Sequence, residues 1–357
     1  MKKNKIRQFY AIGMAWFLLA GVGILFSGCD QLQAMLGIGG EEEGEEEGED
    51  DEAIAYKSYY VKATGNDNSA GTKTAPLATV TAALQKLAAD YAAVSPAWPN
   101  EESGGIVILG TVNAKQIDIT GAGYPHIVLA GGSGAAAGTL ALSEAAADYL
   151  LMVREGASVS LRNITLKGWN TGGGSAAGFV RVGILGTNTA DGTLRLESGA
   201  VVKDNNTEGT NGSGVVVYHG HFIMEEGSEI SGNTGTIYGG GVYVHYGATF
   251  TMNGGTIKGN KAGNGSYGGG GGVFVGGGTF TMNGGTISGN TATNSGGGVW
   301  LDSTATFSKT GGIIYGNDDD DVLKNTATNG HAVYVATTPA TSYDTTLGET
   351  DNYPPTP

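Results

Sequence analysis

The chain has 357 residues, 65 of them glycine, with 15 % charged, 40 % apolar and a formal net charge of −15. Glycine is well above its usual share of about 7 %, yet no three-residue glycine period runs through the chain, which excludes collagen. The apolar content excludes disorder for most of the chain, and the length exceeds one compact core of about 150 residues, so an extended or multi-part fold is expected.

The N-terminus begins Met1-Lys2-Lys3-Asn4-Lys5-Ile6-Arg7, runs apolar from Phe9 to Phe26 and reaches Ser27-Gly28-Cys29-Asp30. A basic start, an apolar middle and small residues before a cysteine make residues 1–28 a signal segment. Leu25 to Cys29 resembles the lipobox of bacterial lipoproteins. The resemblance implies cleavage before Cys29, a lipid on its thiol and attachment to a membrane through that lipid. An uncleaved membrane helix is the alternative, since the apolar run nearly spans a bilayer. Both readings put the remainder outside the cytoplasm. The lipid-anchored reading places it at the outer membrane or cell surface rather than on the periplasmic face of the inner membrane. Cys29 is the only cysteine, so an internal disulfide and a cysteine metal cluster are excluded.

Residues 29–55 read as the lipidated cysteine and an acidic tether. Glu41 to Glu52, EEEGEEEGEDDE, holds ten acids, a self-repelling solvated spacer rather than a calcium site. Loss of residues 1–28 removes four positive charges and leaves −19, while residues 53–357 carry only −8 without a basic stripe. Nucleic acid is therefore not an expected partner.

Residues 56–100 read as a cap. Tyr59 to Val61 is a short strand, Gly65-Asn66-Asp67 and Gly71-Thr72 are turns, and Pro76 opens a helix. Leu77, Val80, Leu84, Leu87, Tyr91 and Val94 recur at three and four, forming one apolar stripe. This series resembles the N-terminal cap of right-handed parallel β-helix proteins. Such a cap covers the open apolar end and the unpaired strand edges of the first coil.

After Gly104 the pattern turns to short strands broken by glycine, and from about residue 190 it repeats as HFIMEEGSEISGN, ATFTMNGGTIKGN, GTFTMNGGTISGN and ATFSKTGGIIYGN. Asn233, Asn260, Asn290 and Asn317 recur at intervals of 27, 30 and 27. Self-similarity at this period, with three strands per repeat, predicts an all-β solenoid over 101–337, a parallel β-helix of about 27–30 residues per coil, with a polar tail at 338–357; the resemblance of the cap implies that it is right-handed and pectate-lyase-like. In the coil from Gly241 to Asn260, Val242, Val244, Phe250, Met252 and Ile257 should point inward. The four asparagines should form an inward ladder of amide hydrogen bonds, and the glycine runs Gly239–Gly241 and Gly296–Gly298 should supply positive φ at corners.

FTMN (Phe250 to Asn253, Phe280 to Asn283) alternates with GGV at Gly241, Gly272 and Gly298. These copies resemble the repeats of the chlamydial polymorphic outer membrane proteins and of spirochaete β-helix lipoproteins over Gly214 to Val335. The resemblance implies a surface-exposed, adhesin-like β-helix without catalysis. A monomer with no cofactor and no metal is expected.

The strongest binding signal is the middle residue of each GGVxV strand: Val216, Tyr243, Phe274, Trp300 and Tyr334. Its neighbours barely change in volume, as a packed core demands, whereas phenylalanine beside tryptophan suits a surface. Tyr243, Phe274, Trp300 and Tyr334 are therefore expected to form an outward column suited to a glycan or to a host or partner protein, unless the glycine-rich excursion at 262–272 covers it. An extracellular polysaccharide lyase or glycoside hydrolase is the alternative. It needs clustered carboxylates and bases, whereas the outward positions Thr251, Thr281, Ser308, Lys258, Ser288 and Tyr315 hold no carboxylate. Asp118, Arg154, Glu155, Arg162, Arg181 and Arg195 are the candidates in less regular coils, and spacing puts no two on one face. His219 and His221 fall on one side of a strand with His245 one coil on, and read as solvated rather than metal-bound. Asp318 to Asp321 read as an exposed, strand-repelling corner. Thr249 and Thr251, Thr279 and Thr281, and Thr306 and Ser308 form ranks that raise ice binding as a third class.

Overall fold

The computed structural model describes residues 57–94, 104–121, 126–132, 138–143, 148–169, 178–186, 191–207, 211–263, 268–316, 322–336 and 352–353. The signal segment, Cys29, the acidic tether, Asn317 and Asp318 to Asp321 lie outside them. Three long sheets form the body. The first has nine strands, from Lys57–Lys62 to Thr306–Lys309; the second has eight, from Thr111–Ala114 to Ile313–Ile314; the third has nine, from Ile117–Thr120 to Asn352–Tyr353. A fourth, short sheet stacks Asn206–Thr207, Thr234–Gly235, Lys261–Ala262 and Thr291–Ala292. Each coil gives one strand to each long sheet in turn, and strands pair in parallel with those one coil away. The fold is a parallel β-helix.

Alternation explains the interior. Val242, Val244, Phe250, Met252 and Ile257 are all fully buried, and Phe222, Phe250, Phe280 and Phe307 stack at 4.9, 4.7 and 5.1 Å between ring centres. Those distances match the separation of hydrogen-bonded strands, so like side chains stack on like. A single coil buries too few apolar groups to offset its ordering entropy, and stability comes from the stack.

The cap helix, Val80–Val94, starts later than Pro76 suggests. Leu77 is instead extended: it pairs with Val61, and its N–H donates to Tyr60 O at 2.9 Å. Thr79 caps the helix, its Oγ1 accepting from Ala82 N–H at 3.1 Å, while Asp67 Oδ1 accepts from the N–H groups of Ala78 and Thr79. Val80, Ala83, Leu84 and Leu87 are buried in the main core, closing its first coil.

The glycine runs do two different things. Gly239, Gly270, Gly296 and Gly330 hold the corner before the third-sheet strand on successive coils, with φ of 67°, 66°, 65° and 58°, as corners require. Gly241 has no positive φ; a Cβ there would lie 2.6 Å from Gly272 O and 3.1 Å from Asn260 Nδ2. Its role is close approach of coils, which corrects the reading of the whole run as corner residues. The C-terminal stretch is also not wholly loose, because Asn352–Tyr353 pairs in parallel with Val333 and Tyr334 on the last coil. No helix among the described residues is long and apolar enough to cross a membrane.

Candidate functional site

The ladder frames the solenoid from inside. Asn233, Asn260 and Asn290 are at most 1 % exposed. Asn233 Nδ2 donates to Asn260 Oδ1 at 3.0 Å and Asn260 Nδ2 to Asn290 Oδ1 at 3.0 Å, and each also donates to a carbonyl of the preceding coil, Val202 O or Ile230 O. The rung expected at Asn317 is held by Asn325, whose Oδ1 accepts from Asn290 Nδ2 at 2.9 Å. Asn325 Nδ2 also donates to Tyr315 O at 2.8 Å, so the asparagine that reaches the turn comes 35 residues after Asn290. The signal was present: NTAT at 290–293 recurs at 325–328, in phase with the turn. Asn205, not expected from spacing, extends the ladder in the other direction, its N–H donating to Asn233 Oδ1 at 3.2 Å.

A second ladder lies outside. Asn283 Nδ2 donates to Asn253 Oδ1 at 3.0 Å, Asn253 Nδ2 to Glu225 Oε2 at 3.1 Å, and Thr310 Oγ1 to Asn283 Oδ1 at 2.9 Å. Glu225 and Thr310, where the FTMN repeat breaks down, therefore continue the same bonding. Beside it the threonine ranks stand in register, Thr249 with Thr279 and Thr306, Thr251 with Thr281 and Ser308, and end at His221 and Ile223. Ser288 stands on the outward side in register with Lys258 but is buried there, beside the segment whose Leu323 O accepts from Gly289 N–H.

The outer column of the third sheet runs in register from Asp118 through Met152, Arg181, Val216, Tyr243, Phe274 and Trp300 to Tyr334. Flanking Val242, Val244, Val273 and Val275 lie in the main core, and the rings form a separate cluster on the far side of the strand. Tyr243 stacks on Phe274 at 5.1 Å, Phe274 on Trp300 at 4.2 Å, and Trp300 on Tyr334 at 6.0 Å. The column is not uniformly open. Tyr243 and Phe274 are only 9 % and 5 % exposed, whereas Trp300 and Tyr334 are half-buried. The cover includes Tyr238, which stacks 4.4 Å from Phe274, while Gly269 packs so near Trp300 that a Cβ would lie 3.0 Å from its Cδ1. Burial pushes the Tyr243 phenol up to about 12.

At the other end of this column the structure joins residues that spacing could not. Tyr149 donates to Asp118 Oδ2 at 2.6 Å, Arg154 Nε to Asp118 Oδ1 at 3.2 Å, and the Arg181 guanidinium lies 4.9 Å from the centre of the Tyr149 ring. Glu155 pairs with Arg154. Arg162 and Arg195 belong to the first sheet, paired with Glu197 and Glu225. Burial, then the bond to Asp118, pushes Tyr149 up to about 12, so it stays protonated at neutral pH. Both Asp118 oxygens are engaged, one by Tyr149 and the other by Arg154.

Between the two ends, His245 sits among Tyr218, His219 and Tyr243, with ring centres 6.1, 6.5 and 6.2 Å away. His221 turns instead to the first sheet, its Nδ1 2.7 Å from Thr249 Oγ1, so His219 and His221 do not act together. No group of three metal-ligating side chains occurs among the described residues.

The raised tyrosines make an alkaline prediction. The folded forms of Tyr149 and Tyr243 ionise near 12 against an ordinary 10.0. The stability they contribute is whole below the ordinary value and is lost as pH rises through the folded one. Urea midpoints should be flat up to about pH 9.5 and fall steeply between about 10 and 12. A Tyr149→Phe, Tyr243→Phe double variant should show a shallower fall.

No protein family, no curated protein and no solved structure matches the chain.

Proposed function

We propose that the chain is an exported, lipid-anchored, adhesin-like surface protein, without catalytic activity, that binds a glycan or partner protein along the third-sheet column of Tyr243, Phe274, Trp300 and Tyr334. The observation that carries this reading is the run of rings at coil spacing, outside the main core, with half-buried Trp300 and Tyr334 as its open end. Tyr243 and Phe274 act beneath them as a stiff backing, because they are themselves stacked and covered. Stacked aromatic faces offer apolar area at low entropy cost to sugar rings or to a partner's side chains. The signal-like residues 1–28, Cys29 and the acidic run support export, anchoring and a spacer. The likeness of FTMN and GGV to chlamydial and spirochaete surface repeats supports adhesion.

A glycan array probed with the full chain identifies ligands, and Trp300→Ala then tests the column. Affinity should fall by about 1–3 kcal/mol, roughly five- to 150-fold. Unchanged affinity in both Trp300→Ala and Tyr334→Ala would remove the column from the binding surface. Anchoring has its own test. Fatty-acid label should appear on the wild-type chain and be absent from Cys29→Ser.

A polysaccharide lyase or hydrolase is the second reading, favoured by Asp118, Arg154 and Arg181 sharing one face. Release of unsaturated or reducing ends from acidic polysaccharides, abolished in Asp118→Asn, would establish it over the first.

A further inference from the structure

The outer face of the second sheet carries a cleft of about 550 Å³ lined by Thr111, Thr139, Thr165, Lys167, Trp169 and Lys203. We propose that this cleft is a second binding site, specific for a short acidic saccharide, with a sugar ring against Trp169 and its carboxylate or sulfate groups on Lys167 and Lys203. The inference stands apart from the ring column, which lies on the third sheet.

Two outward columns build the cleft. Thr111, Thr139 and Thr165 stand in register on successive coils, a row of hydroxyls repeating at about 4.8 Å. The adjacent column runs Asn113, Ala141, Lys167 and Lys203. Ala141 offers only a methyl where the next two coils carry long stems, so the surface dips there and the lysines border the hollow. Trp169 is held by the ladder. Its N–H donates to Asn205 Oδ1 at 3.4 Å, its carbonyl accepts from Asn206 N–H at 3.0 Å, and Gly168 lies so close to Asn205 that a Cβ would be 2.4 Å from Asn205 Cβ. The ring also packs against the main core and is half-buried, so one wall of the cleft is set before any ligand arrives.

Charge selects the ligand class. In a chain of net −15, two lysines one coil apart border a single hollow. Lys258, further along the same column, is neutralised by Glu229 at 2.8 Å. Among the described residues Lys203 has Asp204 at 4.0 Å and the field of Glu229, whose carboxylate is already held by Lys258, and Lys167 forms no ion pair. A bare anion would use the lysines but neither the hydroxyl row nor the indole face. A neutral sugar would use the indole and hydroxyls but bring no charge to Lys167 or to the loosely paired Lys203. An acidic saccharide uses all three.

The test is calorimetric titration of the full chain with trigalacturonate and a heparin-derived tetrasaccharide, as carboxylate and sulfate probes, beside a neutral galactan trisaccharide and inorganic phosphate. At least one acidic probe should bind ten times more tightly than the neutral sugar and phosphate, and more weakly as salt is raised. Lys167→Gln with Lys203→Gln should cost that affinity at least tenfold with an unchanged thermal midpoint, whereas Trp300→Ala should leave it intact. Trp169→Phe, which keeps a ring, should retain more affinity than Trp169→Leu. The proposal is overturned if neither acidic probe binds, if phosphate binds as well as the saccharides, or if the double lysine variant keeps the wild-type affinity. Loss in Trp300→Ala with retention in the lysine variant would assign the ligand to the third-sheet column instead.

Discussion

Asn260→Ala should destabilise the solenoid by about 3 kcal/mol or more, against less than about 1 for Asn283→Ala, read as urea midpoints at constant slope. Both residues are asparagines that bond between coils, and only burial separates them. Removing the Asn260 amide leaves the Asn233 backbone N–H without its acceptor, leaves Asn233 Nδ2 with Val202 O alone, and takes the Asn260 donor from Ile230 O. Water does not reach Asn233, which is fully buried, so those groups bear their desolvation cost. Asn283 bonds Asn253 and Thr310 on an exposed surface, where water replaces the lost partner. Equal midpoint shifts for the two variants would contradict the inward ladder as a source of stability.

Phe280→Ala should cost about 3–5 kcal/mol, and Phe280→Leu no more than about 1.5. Phe280 is fully buried, sandwiched between Phe250 at 4.7 Å and Phe307 at 5.1 Å, and its loss opens a cavity that stacked backbones cannot close without breaking coil-to-coil hydrogen bonds. Because coils contact mainly their neighbours, the damage should be local in sequence but continuous in space. Amide exchange should quicken in Thr249–Met252 and Thr306–Lys309, one coil either side, before it quickens in Gly104–Leu109. Trp300→Ala is the matched control. Half-buried and outside the main core, Trp300 should cost clearly less stability than Phe280.

The β-helix, its cap, the inward set of each coil and the side of the strand on which the rings lie are all legible in the chain. Each is a matter of period, and a stack that places identical positions above one another turns a period in sequence into a column in space. Val242 and Val244 flanking Tyr243 were enough to set the inside from the outside, because core volume is conserved from coil to coil and surface volume is not. Asn233, Asn260 and Asn290 were legible for the same reason. Asn325 escaped an interval count because it lies ten residues beyond Tyr315, whose carbonyl it bonds, and residues added between the two change the count without changing the position in the coil. Which residue covers which is fixed by folding alone. The burial of Tyr243 and Phe274 depends on Tyr238 and on glycine loops that obey no period. The meeting of Asp118 with Tyr149 and Arg154 depends on coils of unequal length, whose alignment is set by backbone pairing. The pinning of Trp169 by Asn205 depends on the ladder itself. Periodic contacts are written in the chain, whereas contacts across coils of different length exist only once the strands have registered.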